Sequence, residues 1–209
     1  MGHYKRPLCF VDTETTGLDP SQHEVIEVAV IREERPRHPW VEPMVDIWHT
    51  RIKPERIEIA EERALAANGY AKNPELWANA PLFKDVAPTL LEFVDGGTLV
   101  GHNVGYDTEI LKQNVVRCGL NPKAITHHNL DTITLAYEHL TPLGLKTLKL
   151  DRIREFLGWS KDRAHTALGD AQDTRKLFHL LCGGLPLHDR LRLYLRSRWA
   201  RRFSQGHSQ

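Results

Sequence analysis

The order in which strand-like and helix-like segments follow one another constrains this chain most. Its first third holds three strand-like segments, LCFVDT, VIEVAVIRE and VDIWHTRIKP, separated by stretches rich in Gly, Pro, Asp and Ser. Shorter strand-like segments at 98–103 and 126–130 then alternate with segments of helical apolar spacing. A meander of strands followed by this alternation predicts one α/β domain built on a mixed sheet.

Helical apolar spacing predicts six helices in the domain. They cover residues 59–68, 81–94, 105–118, 131–139, 145–157 and 166–181. In the third of these, Ile110, Leu111 and Val115 share one face, which we expect to be buried.

Composition narrows the class of protein without naming a partner. The 209 residues include 28 basic and 27 acidic side chains, so the net charge of +1 does not by itself indicate nucleic acid. Cys9, Cys118 and Cys182 form no metal-binding spacing, which favours a reducing compartment over a disulfide framework. The sequence has no apolar stretch of membrane-spanning length and no signal segment, so we expect a cytoplasmic protein without a membrane partner.

Two acids stand at the end of the first strand-like segment. Asp12 and Glu14 are two positions apart, so on a strand their side chains point to the same face. Two neighbouring carboxylates repel each other unless a cation lies between them, which favours a divalent metal site. Solvated acids at a polar strand end are the alternative.

A third acid follows the strand-like segment at 98–103. In the sequence GHNVGYD, Asp107 falls in the first turn of the helix predicted over 105–118. A metal ligand and an acid that stabilises a helix N-terminus are both compatible with that position.

The sequence AHTALGDAQDT places His165 and Asp170 five residues apart. On one continuous helix they would be separated by roughly 140°, so they can face one site only if His165 lies in the loop before the helix. Asp170 lies beside the apolar stripe of that helix and therefore needs a polar partner. A surface or capping role is the alternative for His165.

Together, DxE, HNxxYD and HxxxxD resemble the motifs of the DEDDh exonucleases. That superfamily includes the proofreading subunit of bacterial replicative polymerases, RNase T and oligoribonuclease. The resemblance covers residues 7–182 and implies an RNase H-like exonuclease fold, with a five-stranded mixed sheet flanked by helices. It also matches a strand-end aspartate to Asp131, which we expect to cap the next helix.

The resemblance implies a role for each motif residue. Asp12 would bridge two divalent cations, Mg²⁺ or Mn²⁺, while Glu14 and Asp170 would hold the ion near the nucleophile and Asp107 would complete the other side. His165 would take the proton from the attacking water, for which the ordinary histidine pKa of about 6.5 is suitable.

The resemblance also implies a set of substrate contacts. The backbone around the end of the first strand would bind the terminal nucleotide, and Leu18 would pack against its base or, alternatively, cover the core. The segment ALAANGY resembles a family loop that contacts this nucleotide, although many members have other residues at its polar positions. The predicted substrate-binding residues are Thr13, Thr15, Thr16, Leu18, Asn68 and Asn103.

The function implied is hydrolysis of DNA from its 3′ end, preferentially at single-stranded or frayed ends, with release of nucleoside 5′-monophosphates. An exoribonuclease like RNase T or oligoribonuclease is one alternative. A nucleic-acid-binding subunit of a polymerase is another, and a DNA polymerase or another replication or repair protein is a candidate partner. Sequence spacing does not separate DNA from RNA.

Residues 1–187 are predicted to form the exonuclease domain and residues 188–209 a basic C-terminal helix or tail. Six arginines and no acid lie between residues 190 and 202. Leu191, Leu195 and Trp199 recur at helical spacing and predict an apolar stripe opposite the arginines. Such a helix could pack its stripe on the domain, lie on a membrane, bind a partner or follow the substrate backbone, and among the functional roles we favour binding of the arginines to nucleic acid.

Overall fold

The computed structural model describes residues 6–36 and 41–204, with side chains as far as residue 196. Its strands are β1 (Leu8–Thr15), β2 (Val25–Glu33), β3 (Val45–Arg51), β4 (Thr98–Gly101) and β5 (Asn129–Asp131). The α-helices of the described ranges are α1 (Glu62–Ala67), α2 (Glu75–Ala78), α3 (Phe83–Val94), α4 (Val104–Arg117), α5 (Thr132–Leu140), α6 (Leu150–Leu157), α7 (Ala167–Cys182) and α8 (Leu187–Ser204).

The strands form one mixed sheet in the order β3-β2-β1-β4-β5. β1, β2 and β3 pair antiparallel, as a meander of consecutive strands does, whereas β4 and β5 join β1 in parallel through helical connections. The predicted five-stranded mixed sheet with flanking helices is therefore confirmed. Because β1, β4 and β5 are parallel, their carboxyl ends meet at one edge of the sheet, where open α/β sheets place their ligands.

The side chains of β1 alternate between two cores. Cys9 and Val11 belong to a buried cluster with α3 and α4, and Ile110, Leu111 and Val115 lie in that cluster as the sequence predicted. Phe10 packs on the opposite face, against α7. Each face of the central strand is thus covered by helices, which leaves only its carboxyl end open for a site.

Two helices are shorter than their apolar spacing predicted. The segment from residue 59 yields α1 only from Glu62, because Ala60 is extended with φ −69° and ψ 146°. The segment from residue 145 becomes α6 only at Leu150, because Lys149 is also extended. The four-residue helix α2 is absent from the sequence prediction, since one turn is too short to show periodicity.

The C-terminal helix α8 is turned differently from its predicted orientation. Leu191 and Leu195 are 57% and 55% exposed, whereas Leu193 is buried. The alternative that Leu191 and Leu195 pack on the domain is therefore wrong, and the side chain of Trp199 lies outside the described residues. None of the helices in the described ranges has both the length and the apolar character needed to cross a membrane.

Candidate active site

Asp12 and Glu14 lie at the end of β1 on the face covered by α7. They follow Phe10 at the strand period of two, so they continue its row beyond the apolar core. Glu14 is directly opposite Glu27 of β2, a 3% exposed acid whose Oε1 lies 2.8 Å from Nε2 of His49. The end of the sheet therefore concentrates carboxylates on one face.

Asp170 approaches this pair from the first turn of α7. Thr166 begins the helix by accepting the Gly169 amide at 3.2 Å, which points the first turn of α7 at the end of β1. One carboxylate oxygen from each of Asp12, Glu14 and Asp170 can be chosen so that all three lie within 4.8 Å of one another. Two sequence motifs about 150 residues apart thus converge in space.

Asp107 reaches the same region from α4. The turn before α4 places Asn103 in the left-handed region with φ 73°, and the Asp131 carboxylate accepts the amides of Asn103 and Val104. Asp131 also accepts the Ile133 amide at 2.8 Å, which confirms its predicted role as a helix cap. Asp107 itself is 5% exposed, and its Oδ1 accepts the Thr13 hydroxyl at 2.7 Å.

The protonation equilibria of these acids reflect burial and mutual repulsion. Burial, followed by the charges of Asp107, Asp170 and Glu14, raises the pKa of Asp12 well above its usual range. Burial and the charge of Asp170 raise the pKa of Glu14 to about 8. Burial likewise raises the pKa of Asp107 to about 7. Buried carboxyls that resist ionisation in this way gain most from a cation bound among them.

His165 lies in the loop before α7, as the spacing of its motif required. Its backbone has φ 61°, a conformation that few residues other than glycine adopt. The imidazole is 51% exposed, and its Nε2 lies 3.1 Å from Oδ2 of Asp151, while its backbone amide donates to Oδ1 of Asp170 at 3.1 Å. His165 therefore stands at the open rim of the acid cluster rather than inside it.

Gly169 permits this loop to lie close to α7. A Cβ at position 169 would be 2.1 Å from the Arg163 carbonyl oxygen and 2.7 Å from Oγ1 of Thr166. No side chain fits in that space, so the HTALGD sequence depends on glycine at this point.

Arg154 and Asp151 are site residues that the sequence analysis missed. The Arg154 side chain is 1% exposed and forms ion pairs with Asp151, Asp170 and Asp173. Burial disfavours its charge, but the bonds to Asp173 and Asp170 outweigh that effect and raise the pKa of Arg154 above its ordinary value. The signal in the sequence was its position, three or four residues from Leu150 and Leu157 on an otherwise apolar stripe.

The predicted substrate-binding residues lie around the mouth of the cluster with different degrees of exposure. Leu18 is 73% exposed, so the alternative that it covers the core is wrong. The Thr15 hydroxyl bonds to the Tyr106 hydroxyl at 2.8 Å, and Thr16 is fully buried. Asn68 is buried and donates to the Thr15 carbonyl at 3.0 Å.

Asn103 and Thr13 complete that set. Asn103 is exposed at the start of α4, next to the acid cluster, whereas the Thr13 hydroxyl is already bonded to Asp107. Leu18 and Asn103 are thus the exposed side chains of the set, while the hydroxyls of Thr13 and Thr15 bond to the protein's own groups.

The donor set fits a hard divalent cation. All four acids, Asp12, Glu14, Asp107 and Asp170, offer only oxygen atoms as ligands. In the described part of the chain, the side chains whose donor atoms converge include no cysteine and no histidine. Oxygen ligands suit Mg²⁺ and Mn²⁺ better than softer transition metals. Raised carboxyl pKa values at the same place provide an independent reason to expect cation binding.

Comparison with known proteins identifies the relatives of this arrangement. Residues 9–178 match the RNase_T family, described as Exonuclease. The PolC-type DNA polymerase III of Caldanaerobacter subterraneus is 30% identical over 167 residues, which cover 80% of this chain and 11% of that protein. The epsilon subunit of DNA polymerase III from Treponema pallidum is 26% identical over 170 residues, with 80% and 72% covered. The chain thus spans about a tenth of the PolC-type relatives and most of the epsilon subunit.

Solved structures share the fold at low sequence identity. E. coli Exonuclease I in complex with a dT13 oligonucleotide superposes with a TM-score of 0.69 at 21% identity, covering 84% of this chain and 41% of that one. Apo Exonuclease I gives the same TM-score at 20% identity, with 91% and 44% covered. The match over residues 9–178 and the shared fold confirm the resemblance carried by the three motifs, and the chain belongs to the exonuclease family.

Proposed function

We propose that this protein is a metal-dependent 3′–5′ exonuclease that releases nucleoside 5′-monophosphates from DNA, preferentially from single-stranded or frayed ends. The observation that carries the proposal is the convergence of Asp12, Glu14 and Asp170 within 4.8 Å, with the buried Asp107 bonded to Thr13, the residue between Asp12 and Glu14. These acids would repel a phosphodiester in the absence of cations, so a site of this composition suits cleavage rather than simple binding.

Two divalent cations, Mg²⁺ or Mn²⁺, would be held by Asp12, Glu14, Asp107 and Asp170. When bound, such a pair neutralises phosphate charge and lowers the pKa of water, which are the two requirements of phosphodiester hydrolysis. After burial, the charges of Asp107, Asp170 and Glu14 all raise the pKa of Asp12. The proximity of Asp12 to all three acids supports its proposed role as the shared ligand.

His165 is the proposed general base. It is the histidine that the loop before α7 brings to the cluster, and its half-exposed ring is accessible to water. Its backbone amide is bonded to Asp170, which ties the position of the base to that of a metal ligand. General-base assistance of this kind contributes about 10² to 10⁴-fold to a rate.

The 3′-terminal nucleotide is proposed to lie between the end of β1 and the start of α4. Leu18 presents an exposed apolar surface there on which a base can pack. The Tyr106 hydroxyl donates to the Gly17 carbonyl at 2.7 Å and thereby fixes the backbone that leads to Leu18. Asn68 fixes the same segment through the Thr15 carbonyl, so its proposed contribution to nucleotide binding is exerted through that backbone.

The choice of DNA rests on the relatives. The PolC-type polymerase and the epsilon subunit are DNA polymerase III components by name, and Exonuclease I has been solved with dT13. By the same similarity, a DNA polymerase is the proposed protein partner.

A labelled-substrate assay tests this function. Purified protein is incubated with 5′-labelled single-stranded DNA, matched and mismatched duplex DNA, and RNA, in Mg²⁺, in Mn²⁺ and in excess chelator. We expect a ladder of shortened labelled strands on single-stranded and mismatched DNA, slower shortening of matched duplex, and no products with chelator. Faster shortening of RNA would reassign the enzyme as an exoribonuclease. Immediate release of labelled mononucleotide, or no cleavage of any substrate, would refute the proposal.

A further inference from the structure

We propose that Arg154 and Asp151 form a positioning network that fixes the orientation of the Asp170 carboxylate and of the His165 imidazole for hydrolysis. The inference rests on the proposed function, because it assigns these two residues to the support of that site. Neither residue belongs to the three motifs that define the site, and neither is proposed to touch the substrate.

The network begins with the three separate bonds of one guanidinium. Nη2 of Arg154 lies 2.7 Å from Oδ1 of Asp170, Nε lies 2.7 Å from Oδ2 of Asp173, and Nη1 lies 2.9 Å from Oδ1 of Asp151. A guanidinium is planar and its N–H directions are fixed, so three simultaneous bonds define the relative positions of the three carboxylates. α6 is thereby joined rigidly to the first two turns of α7.

The bonds at Asp170 leave one of its oxygens available. Oδ1 accepts both Nη2 of Arg154 and the backbone amide of His165 at 3.1 Å. Two donors on the same oxygen hold the carboxylate in one rotamer and leave Oδ2 for a cation. Without Arg154 the carboxylate could rotate and exchange its two oxygens.

Asp151 extends the network to the base. Its Oδ1 is bonded to Arg154, and its Oδ2 lies 3.1 Å from Nε2 of His165. Because His165 also donates its amide to Asp170, the bonds form a closed circuit through Arg154, Asp170, His165 and Asp151. The guanidinium of Arg154 thus helps to position both the His165 ring and the Asp170 carboxylate.

Stability alone does not account for a buried arginine at this position. Arg154 neighbours the buried Leu150 and Ile153 on α6, and an apolar side chain could fill such a position as well. Buried ion pairs contribute little net stability compared with well-packed apolar residues, because desolvating the charges offsets their attraction. A positioning role explains why the charge stands there.

The test compares Arg154→Lys with a second variant of the network, Asp173→Asn, and with a control on the same helix, Glu155→Gln. Arg154→Lys keeps the charge but cannot bond three carboxylates in one plane. Asp173→Asn weakens the ion pair between Asp173 and Arg154. In the network, Asp173 is bonded to Arg154 and not to Asp170 or His165. Glu155→Gln, the control, changes an exposed neighbour on α6 that pairs with Arg152 and Lys161 instead. The readouts are Mn²⁺ affinity by titration calorimetry without substrate, kcat and KM on single-stranded DNA, and circular dichroism.

Loss of partners that orient metal ligands typically costs 10 to 100-fold in metal affinity or activity. We therefore expect Arg154→Lys to lower Mn²⁺ affinity and kcat by about 10 to 100-fold with little change in KM, and Asp173→Asn to act in the same direction with a smaller effect. Glu155→Gln is expected to match the wild type.

A folded Arg154→Lys protein with wild-type Mn²⁺ affinity and kcat would overturn the inference. If Arg154→Lys does not fold, Asp173→Asn decides, and equality between Asp173→Asn and Glu155→Gln would overturn it. The proposed function fails separately, by the absence of hydrolysis in a wild-type protein that binds Mn²⁺. In that case the differences in Mn²⁺ affinity among the variants still decide whether the network exists.

Discussion

Two groups of three acids face each other across the site, and their surroundings differ. We call one group the strand-end acids: Asp12 and Glu14 at the end of β1, and Asp107 at the start of α4. They form no salt bridge in the described part of the chain. Asp151, Asp170 and Asp173 on α6 and α7, here the arginine-anchored acids, each pair with Arg154. Carboxylates only a few ångströms apart therefore differ in their surroundings: one group has no bonded basic side chain, and the other is bonded to the guanidinium of Arg154.

The difference separates two tasks within one site. The strand-end acids retain uncompensated charge when ionised, as the raised pKa values of Asp12 and Glu14 indicate, so a cation is their natural partner. The arginine-anchored acids share the guanidinium of Arg154, which links them into a rigid frame. Asp170 connects the two groups, since it pairs with Arg154 and one of its carboxylate oxygens lies within 4.8 Å of oxygens of Asp12 and Glu14.

The largest expected effect is the loss of hydrolysis on Asp12→Asn. This substitution removes the acid on which the charges of Asp107, Asp170 and Glu14 converge. We expect kcat to fall by several orders of magnitude while the circular dichroism spectrum is unchanged. Turnover within tenfold of wild type in the folded variant would show that the strand-end acids do not hold the catalytic cations.

His165→Ala is expected to reduce kcat by about 10² to 10⁴-fold. Because the His165 backbone amide, rather than its ring, is bonded to Asp170, the variant should retain Mn²⁺ binding. Calorimetric titration with Mn²⁺ checks this separation, with Asp170→Asn as the matched comparison. Loss of Mn²⁺ affinity equal to that of Asp170→Asn would assign His165 to metal binding instead.

Stability without metal should change with opposite sign in the two groups. Asp12→Asn removes a buried, repelled charge and is expected to raise the free energy of unfolding in chelator. Asp173→Asn weakens a bond to the buried Arg154 and is expected to lower the free energy of unfolding by about 1.5 to 3 kcal/mol. Chemical denaturation of both variants measures the two changes in the free energy of unfolding. Changes of the same sign would contradict the proposed difference between the two groups of acids.

The pH dependence of stability sharpens the same distinction. Ordinary values for Asp and Glu are 3.8 and 4.5, whereas Asp107 and Glu14 have pKa values raised to about 7 and about 8. A carboxyl with a raised folded-state pKa stabilises the fold fully below its ordinary value and loses that contribution as pH rises through the raised one. Metal-free protein should therefore lose at least about 1.4 kcal/mol between about pH 4 and pH 8.

Two controls accompany the pH measurement. Saturating Mn²⁺ should remove the loss, because cation binding stabilises the ionised carboxyls. A Glu14→Gln, Asp107→Asn double variant should also lack most of it, since the titrating groups are gone. A metal-free wild type that loses no more stability over this range than the double variant would contradict the electrostatic account of the strand-end acids.

The smallest expected effect concerns the arginines of α8, which lie outside both groups. Arg190, Arg192 and Arg196 are exposed, whereas Leu193 anchors the helix, so substitution is a cleaner test than truncation. If these arginines bind the nucleic-acid backbone, their replacement by Gln should reduce the log–log salt slope of single-strand binding by about 0.7 for each phosphate that is no longer neutralised. Fluorescence anisotropy at several salt concentrations measures the slope, and kcat at saturating substrate is the control. An unchanged slope would exclude binding of these arginines to the backbone.

Sequence reasoning reached the parts of the molecule that local patterns encode. The alternation in β1, the apolar face of α4 and the placement of His165 ahead of α7 all follow from spacing within a few residues. The convergence of Asp12 and Glu14 with Asp170 depends on long-range packing, and it was predictable only through the order of the motifs and their resemblance to a family. Motif and fold were thus accessible from the sequence.

The remainder of the site was hidden because long-range partners leave no local pattern. The position of Arg154 on the apolar stripe of LDRIREFL indicates burial, but its partners Asp170 and Asp173 come from α7 and leave no pattern near it in the sequence. Glu27 gave no sign that register would set it opposite Glu14 and within 2.8 Å of His49. The exposure of Leu191 and Leu195 likewise depends on how α8 docks rather than on its own periodicity.

Diffraction from crystals grown with Mn²⁺ and a nucleoside 5′-monophosphate would show directly whether Asp12 is a ligand shared by two cations. Anomalous scattering locates Mn²⁺ without reference to any assumed site. The account predicts two ions, both bound by Asp12, with Glu14 and Asp170 on one and Asp107 on the other, while Arg154 stays paired with Asp170. Anomalous peaks that lie away from Asp12, or a single ion bound only by the arginine-anchored acids, would contradict it.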